Sequence, residues 1–240
     1  MLRALPIAFL TVLLLAANGG VAPLRAEDVD LALVLAVDVS GSIDTERFNI
    51  QRDGYAAAFT NPQVIEAIAT GPHGAIAVTF VEWSGPNHEE QTVGWTVIRD
   101  PGSSAQFGNA IKSAGRAYSD WTSISAALDF SLALLRGSGH AADRMVIDVS
   151  GDGPNNSGRA IEAARDDAVA AGVTINGLPI VETQPDLDQY YRDNVVGGEG
   201  AFTIVVVDFD SFAKSVLSKL VREIAGAPRH RRTLASLAAD

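Results

Sequence analysis

The sequence predicts an α/β protein: a doubly wound, mostly parallel six-stranded sheet with one antiparallel edge strand and helices on both faces. Three observations carry that expectation. Short apolar runs alternate with helix-spaced segments along the chain, the pattern of right-handed βαβ crossovers. Several runs are apolar throughout, as in strands buried on both faces. The chain has 240 residues, 47% apolar and 20% charged, enough for one large domain with a real core.

The elements follow in order. Residues 31–37 are an unbroken apolar run and form the first strand. Residues 43–59 place Phe48, Ile50, Tyr55 and Phe59 at helix-like spacing. Residues 75–83 read as the second strand, ended by the turn cluster 84–88 around Gly85, Pro86 and Asn87. Residues 92–98 alternate and hairpin back as the antiparallel edge. Two helices follow, 103–117 and 123–135. Residues 144–150 form the fourth strand, 158–171 an alanine-rich helix, and 172–181 the fifth strand. A short helix over 187–194 and a glycine-rich turn over 197–200 lead to the sixth strand, 202–207, and the last helix, 209–225. No linker or internal repeat interrupts the pattern, so residues 29–226 read as one domain.

The two ends read differently. Residues 1–26 form a secretory signal peptide: Arg3 supplies the positive start, 4–17 are apolar apart from Thr11, and Ala26 precedes the acidic pair Glu27 and Asp28. The apolar run is short for a bilayer span of ~20 residues, so no membrane insertion is expected once the signal is removed. The expected location is exported, periplasmic or secreted. Residues 227–240 carry Arg229, His230, Arg231 and Arg232 and read as a basic, mobile tail.

Composition excludes several function classes. The chain has no cysteine, which removes disulfides, thiolate zinc sites, iron–sulfur ligation and cysteine nucleophiles. It has 29 acidic and 18 basic side chains, a net charge of -11. Loss of 1–26 removes Arg3 and Arg25 and no acid, leaving 16 basic against 29 acidic and a net charge of -13. That balance argues against nucleic acid as a partner, since phosphate binding needs a basic face.

The chemistry gathers at strand ends. The first strand runs into Asp38, Ser40 and Ser42, alternate residues at its carboxyl end, where open α/β sheets bind ligands. All three offer oxygen, the donor that suits Mg²⁺, Ca²⁺ or Mn²⁺. Thr122 stands at the start of a helix and Asp152 just past the fourth strand. In a doubly wound sheet that strand lies beside the first, so Asp152 would stand beside Asp38. Two facing carboxylates repel unless a cation sits between them.

Asp38, Ser40 and Ser42, then Thr122, then Asp152 followed by Gly153 resemble the metal-ion-dependent adhesion site of von Willebrand factor A (VWA) domains: Asp-x-Ser-x-Ser, a distant Thr, and Asp-Gly. The chain resembles exported bacterial proteins with a single domain of this type. The resemblance implies that Ser40, Ser42 and Thr122 contact a divalent cation through hydroxyls, that Asp38 and Asp152 hold it largely through ordered waters, and that the ion is Mg²⁺, with Ca²⁺ or Mn²⁺ as alternatives. It implies a non-catalytic protein-binding module whose protein partner fills an open coordination position with an acidic side chain. One departure is the Ser150-Gly151 pair before Asp152, where better-known members carry an apolar strand ending in threonine.

Other readings stand beside this one. Residues 151–156 also resemble the last motif of haloacid-dehalogenase-like phosphatases, but Ser40 and Asn156 occupy the places of two required acids. A degenerate VWA domain that binds partners without metal is the third alternative. Ser42 and Asp44 are candidate helix caps. Thr122 taken alone is another. Asp148, mid-strand, is expected to bond to a neighbouring loop, and Asn155 and Asn156 are expected to shape turns. His73, His88, His140 and His230 are scattered without ligand spacing and are assigned nothing.

Overall fold

The computed structural model describes residues 27–117 and 120–226. The expected signal peptide and the expected basic tail both lie outside the described residues. Among them, no helix is long and apolar enough to cross a membrane.

The expected three-layer α/β architecture is present, with five strands in the main sheet instead of six. They are β2 (Leu31–Asp38), β3 (Ile76–Trp83), β4 (Glu89–Ile98), β6 (Met145–Gly151) and β7 (Val173–Pro179), in the order β4-β3-β2-β6-β7. Only the β3–β4 hairpin is antiparallel. A separate parallel pairing joins β1 (Asp28–Val29) to β5 (Ala141–Ala142); neither short segment carries a sequence signal of its own.

Strand β2 shows how the fold follows from the sequence. Its side chains alternate between faces. Leu31, Leu33, Leu35 and Val37 enter one core with α1 (Thr45–Phe59), α2 (Pro62–Ala69), α3 (Pro101–Ser113) and α7 (Phe212–Ala225). Ala32, Val34 and Ala36 enter the other with α4 (Ile124–Arg136), α5 (Ile161–Ala170) and α6 (Leu187–Tyr190). A strand covered on both faces has no polar side, which explains its unbroken apolar run.

The predicted sixth strand, 202–207, lies parallel to β7 but joins it only through isolated bridges. Gly177 N–H donates to the Phe202 carbonyl at 3.0 Å, Val206 N–H to Pro179 at 2.9 Å, and Val181 N–H to Val206 at 2.9 Å. In that register the next donor, to the Ile204 carbonyl, falls to Pro179, which has no N–H. The ladder breaks there.

Helix boundaries were shifted by local chemistry. Helix α5 starts at Ile161, not at 158: Gly158 sits at φ +84°, outside helical backbone, where a Cβ would fall 2.5 Å from the Ser123 hydroxyl and 2.8 Å from that of Ser125. Helix α3 starts at Pro101, capped by Asp100 in a reciprocal pair with Ser103. The unforeseen helix α2 follows an Asn61 cap with Pro62 in its first turn. The 187–194 segment is one turn of α6 followed by a π-type turn, Tyr191–Val195.

Candidate metal centre

Strands β2 and β6 are adjacent and parallel, with Val37 opposite Ser150. Their carboxyl ends therefore deliver Asp38 and Asp152 to one place. Asp38 is fully buried and Asp152 is 6% exposed. The Ser42 hydroxyl donates to Asp152 Oδ1 at 2.6 Å and lies 3.3 Å from the Ser40 hydroxyl. Ser40 N–H donates to Asp38 Oδ1 at 2.7 Å. Ser40 is buried while Ser42 is exposed and forms the solvent lip.

The second oxygen of each aspartate, Asp38 Oδ2 and Asp152 Oδ2, is buried without a hydrogen-bond partner. Orphaned buried carboxylate oxygens are costly. Burial, then the Asp152 charge, pushes the Asp38 carboxyl up to about 7; burial also raises that of Asp152, against the Ser42 bond and the charge of Arg47. The donor set is oxygen only, buried and anionic, and it fits a hard divalent cation.

Thr122 reaches the same end of the sheet on a tied loop. Gly41 N–H, between Ser40 and Ser42, donates to the Asp120 carbonyl at 2.8 Å, and Ser123 N–H to Ser84 at 2.8 Å. Thr122 is 7% exposed. The cap of α4 is Ser123, which accepts from Ala126, so Thr122 is not the helix cap. Asn156 and Asn155 do more than shape turns: their side-chain oxygens accept from Thr122 N–H at 3.0 Å and Ser125 N–H at 2.9 Å. They lock the Thr122 loop to the Asp152 loop. Asp44 caps α1, its side chain accepting from Arg47 N–H, as expected.

A family model described as "Protein of unknown function (DUF1194)" matches residues 28–228. The chain belongs to the DUF1194 family. The fold of this family member is that of VWA domains. It is similar to proximal thread matrix protein 1 from the mussel byssus in a form with a zinc-occupied adhesion-site motif: TM-score 0.54, 15% identity, covering 82% of this chain and 46% of that one. It is similar to a von Willebrand factor type A protein from Catenulispora acidiphila: TM-score 0.57, 15% identity, 82% and 43% coverage. It is also similar to the pilus adhesin SpaC of Lactobacillus rhamnosus GG in an open conformation: TM-score 0.55, 12% identity, 82% and 30% coverage. The DUF1194 chain thus spans less than half the length of each. No curated protein matches it.

The DUF1194 site contains residues that sequence reasoning missed. The Arg116 guanidinium donates to the carbonyls of Val39 at 2.6 Å and Ser40 at 3.0 Å, and Gln51 to the Asp38 carbonyl at 3.2 Å. Both hold the Asp38–Ser42 loop in shape. Tyr191 is fully buried and its hydroxyl has no partner. A Cβ on Gly151 would stand 2.8 Å from that hydroxyl and 2.9 Å from Asp38 Oδ2, so Gly151 is the residue the close approach demands. Asp148 bonds no loop. It pairs with Lys219 of α7, which also donates to Glu223 at 2.5 Å, all three buried. At the same end of the sheet, Glu182 is engaged by Arg47 at 2.5 Å and Asp208 caps the turn before α7.

Proposed function

We propose that this protein is a non-catalytic, divalent-cation-dependent protein-binding module of the exported fraction, periplasmic or secreted, with residues 1–26 as its signal peptide. Asp38, Ser40, Ser42, Thr122 and Asp152 hold the cation, Mg²⁺ first and Ca²⁺ or Mn²⁺ as alternatives, and the protein partner supplies an acidic side chain. The observation that carries this reading is the pair of partnerless buried oxygens, Asp38 Oδ2 and Asp152 Oδ2, behind two serine hydroxyls. When bound, the cation neutralises the facing aspartates and stays electrophilic toward an outside carboxylate, because few charged groups would contact it directly.

The residues divide the work. Asp38 and Asp152 supply the charge, and burial keeps water from screening it. The serines supply neutral oxygen, and Ser42 keeps the entrance open to solvent. Arg116 and Gln51 hold the loop backbone so that no reorganisation is needed on binding. Trp121, 67% exposed beside Thr122, offers the partner an apolar contact next to the carboxylate.

Calorimetric titration of chelator-treated protein with Mg²⁺, Ca²⁺ and Mn²⁺ tests the first half. About one cation should bind to the wild type and none to Asp38→Ala. Absence of binding by the wild type, or equal binding by the variant, overturns the reading. For the second half, immobilised protein should retain its partner in Mg²⁺ and release it in chelator. Retention that ignores the chelator favours a metal-free domain.

A further inference from the structure

A second set of metal-ligating side chains meets at the opposite end of the sheet. Asp30 precedes β2 as Asp38 ends it, so the two lie ~26 Å apart along the strand. Asp30, His73 and Asp143 each bring one ligand atom to within 4.8 Å of the others. They come from the start of β2, the turn between α2 and β3, and the junction of β5 with β6.

The arrangement around Asp30 is built. Asp30 is 7% exposed. Its Oδ1 accepts from His73 N–H at 3.0 Å and its Oδ2 from Ala75 N–H at 3.2 Å. These bonds fix the carboxylate's orientation and leave a lone pair on each oxygen. A Cβ on Gly71 would fall 2.1 Å from Asp30 Oδ2, so the carboxylate lies in a space that only glycine leaves. Gly74, at φ +59°, donates its N–H to the Gly71 carbonyl at 3.2 Å and closes the turn that carries His73. Asp143 is placed by its N–H donating to the Val29 carbonyl at 3.0 Å.

His73 Nε2 and Asp143 Oδ2 are 3.8 Å apart, too far for a hydrogen bond and near the ~3.4 Å between tetrahedral ligands of a zinc ion with ~2.1 Å bonds. Both side chains are partly exposed, at 34% and 39%. A cleft of about 900 Å³ whose walls include Asp30, Gly71 and Asp143 opens beside them, giving a path for an ion and room for water.

We propose that Asp30, His73 and Asp143 form a transition-metal site of the Zn²⁺ class, with water in the remaining position. The imidazole nitrogen selects against Mg²⁺ and Ca²⁺ and for Zn²⁺ and its borderline neighbours. The ion fastens three segments at the edge where the chain enters the domain, the work of a staple in a chain that has no cysteine. This site does not rest on the cation-binding reading of the Asp38 centre.

The experiment is calorimetric titration of the chelator-treated full chain with Zn²⁺ in a large excess of Mg²⁺. Visible absorption of bound Co²⁺ is the second readout, and wild type, Asp38→Ala, His73→Ala and Asp143→Asn are compared. One Zn²⁺ should bind to the wild type and to Asp38→Ala, and affinity should fall about tenfold or more in both His73→Ala and Asp143→Asn. Because both residues are exposed, unchanged far-ultraviolet circular dichroism should accompany the loss. Three results overturn the proposal: no Zn²⁺ binding by the wild type, Zn²⁺ affinity unchanged in His73→Ala and Asp143→Asn, or Zn²⁺ binding lost in Asp38→Ala and kept in His73→Ala.

Discussion

Replacing Asp38 by asparagine should make the cation-free protein more stable while abolishing its cation binding. Asp38 is fully buried, its Oδ2 is without a partner, and its carboxyl titrates at about 7 in the fold against 3.8 ordinarily. Burial is the main cause and the Asp152 charge the second. The folded state therefore holds a proton that the unfolded chain has lost, so wild-type stability falls as pH rises from about 4 to about 7 and is then level. Above that range the deficit is about three pH units, or ~4 kcal/mol at ~1.4 kcal/mol each. Asparagine has nearly the same shape and no charge, and its oxygen can still accept from Ser40 N–H. The weaker bond to that N–H costs about 1 kcal/mol, leaving a net gain of ~3 kcal/mol at about pH 8. Near pH 5.5 the carboxylate deficit is only ~2 kcal/mol and the gain shrinks to ~1 kcal/mol.

Urea denaturation in chelator at those two pH values measures the difference. Adding Mg²⁺ at a hundred times its dissociation constant should then return ~2.7 kcal/mol to the wild type and nothing to the variant. A variant less stable than wild type in chelator at the higher pH would refute the argument that Asp38 is held there at a cost. Equal stabilisation of both proteins by Mg²⁺ would refute the placement of the cation.

Other perturbations separate the site from its supports. Ser42→Ala removes the hydroxyl that reaches Asp152 at 2.6 Å; calorimetry should show cation affinity down about tenfold, with stability changed by no more than ~1 kcal/mol. Gly151→Ala puts a methyl group 2.8 Å from the Tyr191 hydroxyl and 2.9 Å from Asp38 Oδ2. It should cost ~1–3 kcal/mol in thermal denaturation and weaken cation binding as well. Lys219→Met leaves Asp148 and Glu223 buried without their cation and should cost ~3–5 kcal/mol. Burial and the Glu223 charge already raise the Asp148 carboxyl, so denaturation midpoints should show part of that loss recovered as pH falls and Asp148 takes up a proton.

By itself the sequence determined the five strands of the main sheet and the end of it at which Asp38 and Asp152 meet. The run over 31–37 is apolar at every position because both faces of β2 are covered. The doubly wound pattern then sets Asp152 beside Asp38 without any coordinate being known. Capping chemistry was equally local: Asp44, and the unread Asn61 and Asp100 signals, act within three residues of themselves.

The tertiary structure decided whatever depends on a partner far along the chain. Residues 202–207 have the composition of a strand, but their pairing fails at one proline in a neighbour some 25 positions earlier. Arg116 and Gln51 were silent because they hold carbonyls, which every residue has. Asp30, His73 and Asp143 were silent because no spacing rule joins them; the ends of β2, β3 and β6 do. Periodicity and capping are properties of a few adjacent residues and survive in a linear reading. The fit of a buried charge to its distant partner is a property of packing, and exists only once the chain has closed on itself.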